Sequence, residues 1–312
     1  KKKMATTTSI TTTYAGEFAG KYISAALLSG KTLADGNITI KPNIKYKEVV
    51  KKLATDDLVK DAVCDFDATS TVTLTERILQ PEEFQVNLQV CKKDFISDWE
   101  AISMGYSAYS NLPKTFSDFL IANVADKVSQ KIEQNIWDGT NATAGEFDGF
   151  DVLLAADGDV VDVTATTVTA ANVVTELGKI VDAIPSAVYG SEDLTIYAPA
   201  NMYRAYIRAL GGFGSSGLGG SGTDAKGTQW YSEGQGLQFD GVQIVLAPGL
   251  TSNKAVASEK SNLWFGTGLM SDQNEVKIID MADIDGSQNV RVVMRFTAGI
   301  QFGIGSDIVF YS

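Results

Sequence analysis

Two neighbouring stretches of this sequence have the residue types of a phosphate-binding site. Gly212-Phe213-Gly214-Ser215-Ser216-Gly217 has the G-x-G-x-x-G spacing of a dinucleotide-binding turn, and residues 219–228 are rich in glycine around Lys226. A dinucleotide turn lies between a strand and a helix, whose N-terminus points at the pyrophosphate. Here the motif follows a predicted helix and runs into more loop, and Lys226 precedes Gly227 where a P-loop needs Ser or Thr. We therefore expect a glycine-rich loop instead of a cofactor site.

Clustered carboxylates are the second group that could do chemistry. They occur at Asp157, Asp159 and Asp162, and again at Asp280, Asp283 and Asp285 before Gly286. Neither cluster has the ligand spacing of a calcium-binding loop, so turn formation is the simplest interpretation and a weak cation site is the alternative. An acid-pair hydrolase needs only two carboxylates at the right separation, a condition that any acidic protein meets.

The absence of histidine excludes most other catalytic sites. Among the 312 residues there is no His, so Ser-His-Asp and Cys-His systems and imidazole zinc ligands are ruled out. The two cysteines, Cys64 and Cys91, are too few for an all-cysteine zinc site, and they are interpreted as two reduced thiols or as a single bridge. The sequence predicts no enzyme, no cofactor and no metal site.

Charge is unevenly distributed along the chain. The net charge is −12, but residues 1–60 contain eleven lysines and five acids, a balance of +6, so residues 61–312 have a balance of −18. A basic end on an acidic body indicates contact with nucleic acid or with the acidic body of another copy, and a solvated lysine-rich face is the simplest alternative. Binding a nucleic-acid backbone needs many cations on one face, so we favour contact with another copy.

The N-terminal third is predicted to contain an arm, a short helix and strands. Residues 1–13 are rich in Lys and Thr and indicate a flexible arm, and apolar spacing predicts a helix over Tyr14–Ser29 that ends at Gly30. Strands are predicted at Ile38–Ile40, Val72–Leu74 and Phe84–Val90. In Phe84–Val90 apolar residues alternate with Gln and Asn, which suits either a ribbon projecting from the body or a sheet with one face in water.

The strongest helix signal runs from Pro113 to Trp137. Proline suits the first turn of a helix, and Asp138-Gly139-Thr140-Asn141 ends it. Apolar residues recur at every fourth position, at Phe116, Leu120, Val124, Val128, Ile132 and Ile136. Because each step of four residues exceeds a full turn by about 40°, the stripe winds round the helix. We therefore expect a long strut that lies across a sheet.

The rest of the chain is predicted to mix helices and strands around a glycine-rich loop at 211–236. The expected elements are helices Thr169–Ile184 and Pro199–Leu210, and strands Leu194–Tyr197, Val242–Leu246, Ala255–Ala257, Val276–Ile279, Val290–Phe296 and Ile300–Tyr311. No apolar run approaches the roughly 18 residues of a membrane span, and Met4–Ser9 is too polar for a signal peptide.

The order of these parts resembles the major capsid proteins of tailed bacteriophages, which have the HK97-like fold. Cys64–Trp99, including Cys91-Lys92-Lys93-Asp94, resembles the E-loop and its return. Leu112–Trp137 resembles the spine helix, and Ile132–Gly139 followed by Phe147-Asp148-Gly149-Phe150 resembles its exit. Thr169–Pro185, Leu194–Leu210 and Phe239–Val245 resemble A-domain elements, and Val290–Tyr311 resembles the closing P-domain strands with Arg291 and Arg295 facing outward.

The resemblance implies an α+β, HK97-like capsid fold with an N-terminal arm, an extended β-hairpin E-loop, a long spine helix in the P domain and an α/β A domain. The expected boundaries are 1–35 for the arm and short helix, 36–95 for the E-loop ribbon, 96–150 for the P domain with the spine helix at 113–137, 151–270 for the A domain with its Gly-rich loop, and 271–312 for the closing P-domain strands.

It also implies a function without catalysis, namely self-assembly into an icosahedral head shell that encloses phage DNA. Subunits would join through heterologous contacts within and between pentamers and hexamers. The implied partners are many copies of the chain, with portal, scaffold and decoration proteins besides, and double-stranded DNA held without sequence-specific binding. The implied location is the virion, after assembly in the host bacterial cytoplasm. Candidate inter-subunit contacts are Lys1, Lys2, Lys3, Lys45, Lys47, Lys51, Lys52, Lys92, Lys93, Phe84, Val86 and Leu88.

Three other interpretations remain open at this stage. An encapsulin-like nanocompartment shell shares the fold, another structural virion protein would share the absence of catalysis, and an acid-pair hydrolase is the enzyme alternative. In one branch of the capsid family an E-loop lysine bonds covalently to an asparagine of a neighbouring copy. Lys60, Lys92 and Lys93 lie in or near the predicted ribbon, but no matching asparagine is identifiable, so this crosslink is not carried over.

Overall fold

The computed structural model describes residues 11–15, 30–55, 59, 61–62, 64, 72–91, 114–210, 237–268, 275–281, 286–287 and 289–312. Its helices are α1 (Lys31–Ala34), α2 (Lys114–Asp138), α3 (Phe150–Ala155), α4 (Val173–Asp182) and α5 (Ala200–Leu210). Its strands are β1 (Thr11–Ala15), β2 (Thr39–Lys41), β3 (Glu48–Thr55), β4 (Val72–Leu79), β5 (Glu82–Cys91), β6 (Val161–Val163), β7 (Leu194–Ala198), β8 (Gln238–Phe239), β9 (Val242–Leu246), β10 (Ala255–Glu259), β11 (Leu263–Gly266), β12 (Glu275–Asp280), β13 (Asn289–Phe302) and β14 (Val309–Tyr311).

The first sheet is organised by β13, a strand of 14 residues. Its described order is β1-β12-β13-β11-β2, with β5 paired along the other edge of β13, and all pairs except the parallel β2–β11 are antiparallel. Strand β13 alternates as a half-buried sheet requires, because Val290, Val292 and Met294 are buried while Arg291 and Arg295 are exposed. The outward direction predicted for the two arginines is confirmed.

The long helix α2 provides the second layer over this sheet. Val124, Val128, Ile132 and Ile136 are all buried and share one core with the apolar residues of β12 and β13. The helix ends at Asp138, one residue beyond the predicted end, and the winding stripe is confirmed for its four members whose side chains are described. A stripe that changes direction along the helix lets it contact several strands in succession.

The exit from α2 is held by glycines that sit against the backbone. The Gly149 N–H donates to the Gly139 carbonyl at 2.8 Å, and a Cβ atom on Gly149 would lie 2.7 Å from the nitrogen of Gly139. A Cβ atom on Gly139 would lie 2.7 Å from the Asn135 carbonyl oxygen. Any larger residue would overlap the backbone here. Steric exclusion therefore explains why the exit motif has glycine at positions 139 and 149.

A second sheet, with the order β6-β14-β10-β7-β9-β8, carries α4 and α5. Helix α4 buries Val173, Leu177 and Ile180, and α5 buries Met202 and Tyr206, all in a core distinct from that of α2. Both helices are shorter at their N-termini than predicted, since α4 begins at Val173 and α5 at Ala200. Strands β7 and β9 are parallel neighbours, and α5 lies in the connection between them, so the three elements form a β-α-β unit.

Among the described strands, the third sheet consists of β3 and β4, and we call this pair the ribbon. The two strands pair antiparallel from Glu48 opposite Leu79 to Thr55 opposite Val72. Phe84–Val90, for which a ribbon and a sheet were both open, belongs to the sheet: β5 pairs with β13 over ten positions. Phe84 and Val86 pack against the first core, because the sheet buries their apolar face.

Several other predictions of the elements are corrected. A flexible arm was expected at 1–13 and a helix at Tyr14–Ser29, but Thr11–Ala15 forms strand β1, which pairs with β12. Both predictions are therefore wrong over these five residues. The β-branched Thr residues favour the extended conformation of a strand. Ile300–Tyr311 is not one strand, because a 3₁₀ turn at Gly305–Asp307 separates β13 from β14. Elements α1, α3, β3, β6, β8 and β11 were not predicted. The rest of the expected arm and helix, and the loop at 211–236, lie outside the described residues.

Candidate assembly surfaces

The ribbon has one face toward the body and one toward solvent. On the body side Leu79 is fully buried, and a Cβ atom on Gly266 would lie 3.0 Å from its Cδ2 atom. On the solvent side Val49 and Ile78 are Cα partners in the ladder and are 46% and 42% exposed. Facing apolar residues on an exposed ribbon form a small apolar patch that the described part of the chain leaves nearly half exposed.

Aromatic and basic residues adjoin this patch. Tyr46, just before β3, is 70% exposed, and the Lys47 ammonium lies 5.3 Å from the centroid of its ring. Lys51 and Glu76 are Cα partners two positions further along the same face, and both are exposed. The ribbon and the segment just before it therefore expose two aliphatic side chains, an aromatic ring, two lysines and Glu76, and the excess of lysine suits contact with an acidic surface.

The base of the ribbon is attached to the body by two ion pairs. Arg77 of β4 donates to Asp157 Oδ2 at 2.6 Å, and its guanidinium carbon lies 4.1 Å from the centroid of the Phe302 ring. Lys41 of β2 donates to Glu48 Oε1 of β3 at 2.7 Å, and its ammonium lies 4.4 Å from the centroid of the Trp264 ring. The Gln301 amide also donates to the Ile78 carbonyl at 3.1 Å.

A cleft of about 520 Å³ lies between the ribbon base and the body. Val50 and Arg77 line it from the ribbon, and Trp264, Gly303 and Ile304 line it from the body. The charged residues Asp159, Glu259, Asp307, Lys51 and Glu76 also line it. Its walls mix apolar surface with charges of both signs.

The structure places the predicted contact residues in different environments. Lys45, Lys47 and Lys51 are exposed, and Lys52 lies within β3. Phe84 is half-buried, with its ring centroid 5.8 Å from that of Phe296, whereas Leu88 is 37% exposed. Lys1, Lys2, Lys3, Lys92 and Lys93 lie outside the described residues. Lys45 and Lys47 thus precede the ribbon and Lys51 lies within it, while Phe84 and Val86 belong to the sheet.

Sequence reasoning missed the residues that give the ribbon its character. Val49, Ile78 and Arg77 were not singled out, although Glu48-Val49-Val50 is the kind of β-branched run that predicts a strand, and Asp157 was noted only as a member of an acidic cluster. Neither the pairing of Val49 with Ile78 nor the contact of Arg77 with Asp157 can be derived from local sequence patterns, because each joins distant parts of the chain.

Two buried carboxylates have defined hydrogen-bond partners. Glu133 of α2 accepts the Thr32 N–H at 3.0 Å and also the Thr32 hydroxyl. Burial raises the pKa of Glu133 above its ordinary value, although these hydrogen bonds act to lower it. Burial likewise acts to raise the pKa of Glu176, but hydrogen bonds from Lys179 and Tyr311 outweigh it and leave that pKa below its ordinary value. Glu133 thus connects α2 to α1, and Glu176 connects α4 to β14.

The acidic cluster at 157–162 has a structural explanation. The Asp159 N–H donates to Asp157 Oδ1 at 2.9 Å, which is the side-chain turn expected there, and Asp162 lies in β6. Asp283 and Asp285 lie outside the described residues. Across the described ranges no group of three or more His, Cys, Asp or Glu residues could hold a metal ion.

The glycine motifs at 212–217 and 219–228 lie outside the described residues. Cys64 is exposed and Cys91 half-buried, and both are free thiols. The helices in the described part of the chain include none that is long and apolar enough to cross a bilayer.

Comparison with known proteins gives a likeness in structure alone. No protein-family model matches the sequence, and no curated protein matches it. The capsid of Myoviridae phage XM1 has 14% identity and a TM-score of 0.56, with 90% of this chain and 91% of that chain covered. The capsid of a native GTA particle has 10% identity and a TM-score of 0.59, with 92% and 89% covered. The chain has a phage capsid fold.

These likenesses extend over about nine tenths of this chain and of each capsid chain. A virus-like particle from Pyrococcus furiosus is similar as well, with 9% identity, a TM-score of 0.52, and 95% of this chain and 99% of that chain covered. The resemblance to tailed-phage capsid proteins seen in the order of sequence parts is therefore confirmed at the level of the fold, which is mixed α+β.

Proposed function

We propose that this chain is the structural subunit of an icosahedral phage head shell and that it assembles with many copies of itself around double-stranded DNA. The observation that carries the proposal is the capsid fold over nearly the whole chain, shared with the shells of phage XM1 and the GTA particle. In HK97 terms the ribbon corresponds to the E-loop, α2 to the spine helix, the first sheet to the P domain and the second sheet to the A domain.

Assembly in this proposal depends on many weak contacts. Val49 and Ile78 on the ribbon are nearly half exposed, and covering apolar surface contributes about 25 cal/mol per Å². One ribbon therefore contributes little by itself. Heterologous contacts repeated around closed rings add these contributions, so that the complete shell is stable although each pairwise contact is weak.

Electrostatics support contact between the ribbon and a neighbouring copy. Lys45, Lys47 and Lys51 are exposed at the ribbon, whereas residues 61–312 carry a balance of −18. Complementary charge of this kind raises the rate of encounter and sets register more than it raises affinity. Shell formation should consequently slow as the ionic strength rises, because screening weakens contacts between exposed charges.

The proposed location is the virion, after assembly in the host bacterial cytoplasm. Portal, scaffold and decoration proteins are proposed as further partners, and DNA is held without sequence-specific contacts. The proposed function involves no catalysis. Denaturing gels of assembled particles test whether copies become covalently joined, and we expect a single band near the chain mass of 33.3 kDa.

The deciding experiment is expression of the full chain followed by light scattering and electron microscopy. We expect closed shells of megadalton mass. A chain that stays monomeric under all assembly conditions, including with added scaffold from its own phage genome, contradicts the proposal. Shells that co-purify with an enzyme cargo and never contain DNA indicate the encapsulin-like nanocompartment instead.

A further inference from the structure

The described contacts that hold the ribbon to the body lie near its base: the two ion pairs, the Gln301 amide on the Ile78 carbonyl, and the buried Leu79. Among the described strands β3 and β4 pair only with each other, so no neighbouring strand fixes the angle at which they leave the body. A two-stranded hairpin without further support has little rigidity of its own. The cleft of about 520 Å³ beneath the ribbon leaves it room to tilt. Whatever fixes the angle must therefore lie at the base.

One group at the base holds β4. The guanidinium of Arg77 lies over the Phe302 ring at 4.1 Å and donates to Asp157 at 2.6 Å. Phe302 is only 1% exposed, so the ring that supports Arg77 is itself fixed in the core. A planar guanidinium that is stacked on one side and ion-paired at its edge has a defined orientation. Gly305 allows this approach, because a Cβ atom there would lie 3.1 Å from Asp157 Oδ1.

A second group of the same kind holds β3, with the roles of ribbon and body reversed. Here the body supplies the cation, Lys41, which lies 4.4 Å from the Trp264 ring and donates to Glu48 of the ribbon at 2.7 Å. Each strand of the ribbon is thus attached where it begins to leave the body. Each attachment consists of one cation, one aromatic ring of the body and one carboxylate.

We propose that these two cation, ring and carboxylate groups set the angle of the ribbon, and that Arg77 is the main positioning residue for assembly. This inference rests on the proposed function and adds the residues that direct the ribbon toward a neighbouring copy. The side chains of Arg77 and Asp157 are 26% and 19% exposed, and ion pairs that water reaches add little to stability. The ion pair therefore serves to orient β4 against the body and adds little to the free energy of unfolding.

Small changes in angle at the base become large displacements along the ribbon. Strand β3 has eight residues, so it extends about 26 Å at roughly 3.3 Å per residue. A tilt of about 10° then moves its far end by about 4–5 Å, which is the separation of neighbouring strands. A contact made by the ribbon would be lost at that displacement, even though the body remains folded.

The test measures the ribbon angle in the unassembled subunit and shell formation separately. Nitroxide labels are placed on the native thiol of Cys64, which lies between β3 and β4, and on Thr175→Cys of α4, in a Cys91→Ser background. Pulsed electron paramagnetic resonance then gives the distribution of distances between the labels. The variants are Arg77→Lys, which keeps the charge, and Asp157→Asn, which keeps the shape. Asp151→Asn is the matched control, because Lys254 and Asp151 form a body ion pair of similar exposure away from the ribbon.

We expect Arg77→Lys and Asp157→Asn to broaden the distance distribution by several ångströms and to lower the yield of closed shells at least tenfold. Asp151→Asn should change neither, and melting temperatures should stay close to that of the labelled parent. Arg77→Glu should broaden the distribution further, and Asp157→Arg in the same chain should narrow it again. Unchanged distributions in Arg77→Lys and Asp157→Asn overturn the inference. If the labelled parent itself forms no shells, broadened distributions in the two variants still support the role of Arg77 in setting the ribbon angle, whereas the missing shells overturn the proposed function.

Discussion

The carboxylate of Glu133 accepts the backbone N–H of Thr32, a residue 101 positions earlier in the chain, at 3.0 Å. The Thr32 hydroxyl also donates to Glu133, and it accepts the Trp137 indole N–H at 3.0 Å. Gly30 fits beside this group, because a Cβ atom there would lie 2.8 Å from Glu133 Oε2. The segment that leads into the ribbon is thus bound to the long helix through one buried carboxylate.

The buried Glu133 should make stability depend on pH in an unusual direction. A carboxyl whose pKa is raised by folding stabilises the protein fully below its unfolded pKa of about 4.3, and this contribution is lost as pH rises through the folded pKa. The free energy of unfolding of wild type minus that of Glu133→Gln should therefore decrease from about pH 4 upward. Urea unfolding at a series of pH values measures it, and a difference that grows with pH contradicts the assignment.

Glu176 should show the opposite dependence. Its pKa is lowered by the hydrogen bonds from Lys179 and Tyr311, so its contribution is present above the unfolded pKa of about 4.3 and is lost as pH falls through the folded pKa. The difference in unfolding free energy between wild type and Glu176→Gln should shrink on acidification below about pH 4.3. The same urea series tests it, and a pH-independent difference would show that this carboxylate is not held as described.

Gly249 should be intolerant of any side chain. A Cβ atom there would overlap the Glu133 carbonyl oxygen and lie 2.9 Å from the Gln134 Cα atom, so the turn after β9 packs directly on the backbone of α2. We expect Gly249→Ala to reduce the free energy of unfolding by roughly 1–3 kcal/mol. Gly158→Ala is the matched control, since a Cβ atom at that residue would have no neighbour within 4 Å. Equal stabilities of the two variants would contradict this packing.

The exposed pair on the ribbon should matter for assembly and little for folding. Val49 and Ile78 are 46% and 42% exposed, so replacing both with Thr keeps strand propensity and removes apolar surface. We expect thermal unfolding within a few degrees of wild type and at least a tenfold loss of closed shells by light scattering. Val152→Thr, at a residue 38% exposed on α3, serves as the control. Normal shell yield from the double variant would remove the ribbon patch from the assembly contacts.

The sequence by itself determined the elements whose signal is local. The winding stripe from Val124 to Ile136 predicts a long helix because the spacing of apolar residues follows the helical turn, and the alternation from Phe84 to Val90 predicts a strand for the same kind of reason. The lack of histidine excluded whole classes of catalysis. The succession of these elements along the chain was enough to indicate a capsid fold, because that succession can be read without knowing which elements contact each other.

Only the tertiary structure decided which strands pair and what the ribbon rests on. The pattern in β5 is equally compatible with a ribbon and a sheet, and its pairing with β13 settles the choice through residues some 200 positions away. Thr11–Ala15 forms a strand because β12 provides its partner. Arg77 pairs with Asp157, which lies 80 positions later in the chain. Gly249 packs against the backbone of Glu133, which is likewise distant in the sequence. Local periodicity reports which face of an element is apolar, but it does not report which distant residues will cover that face.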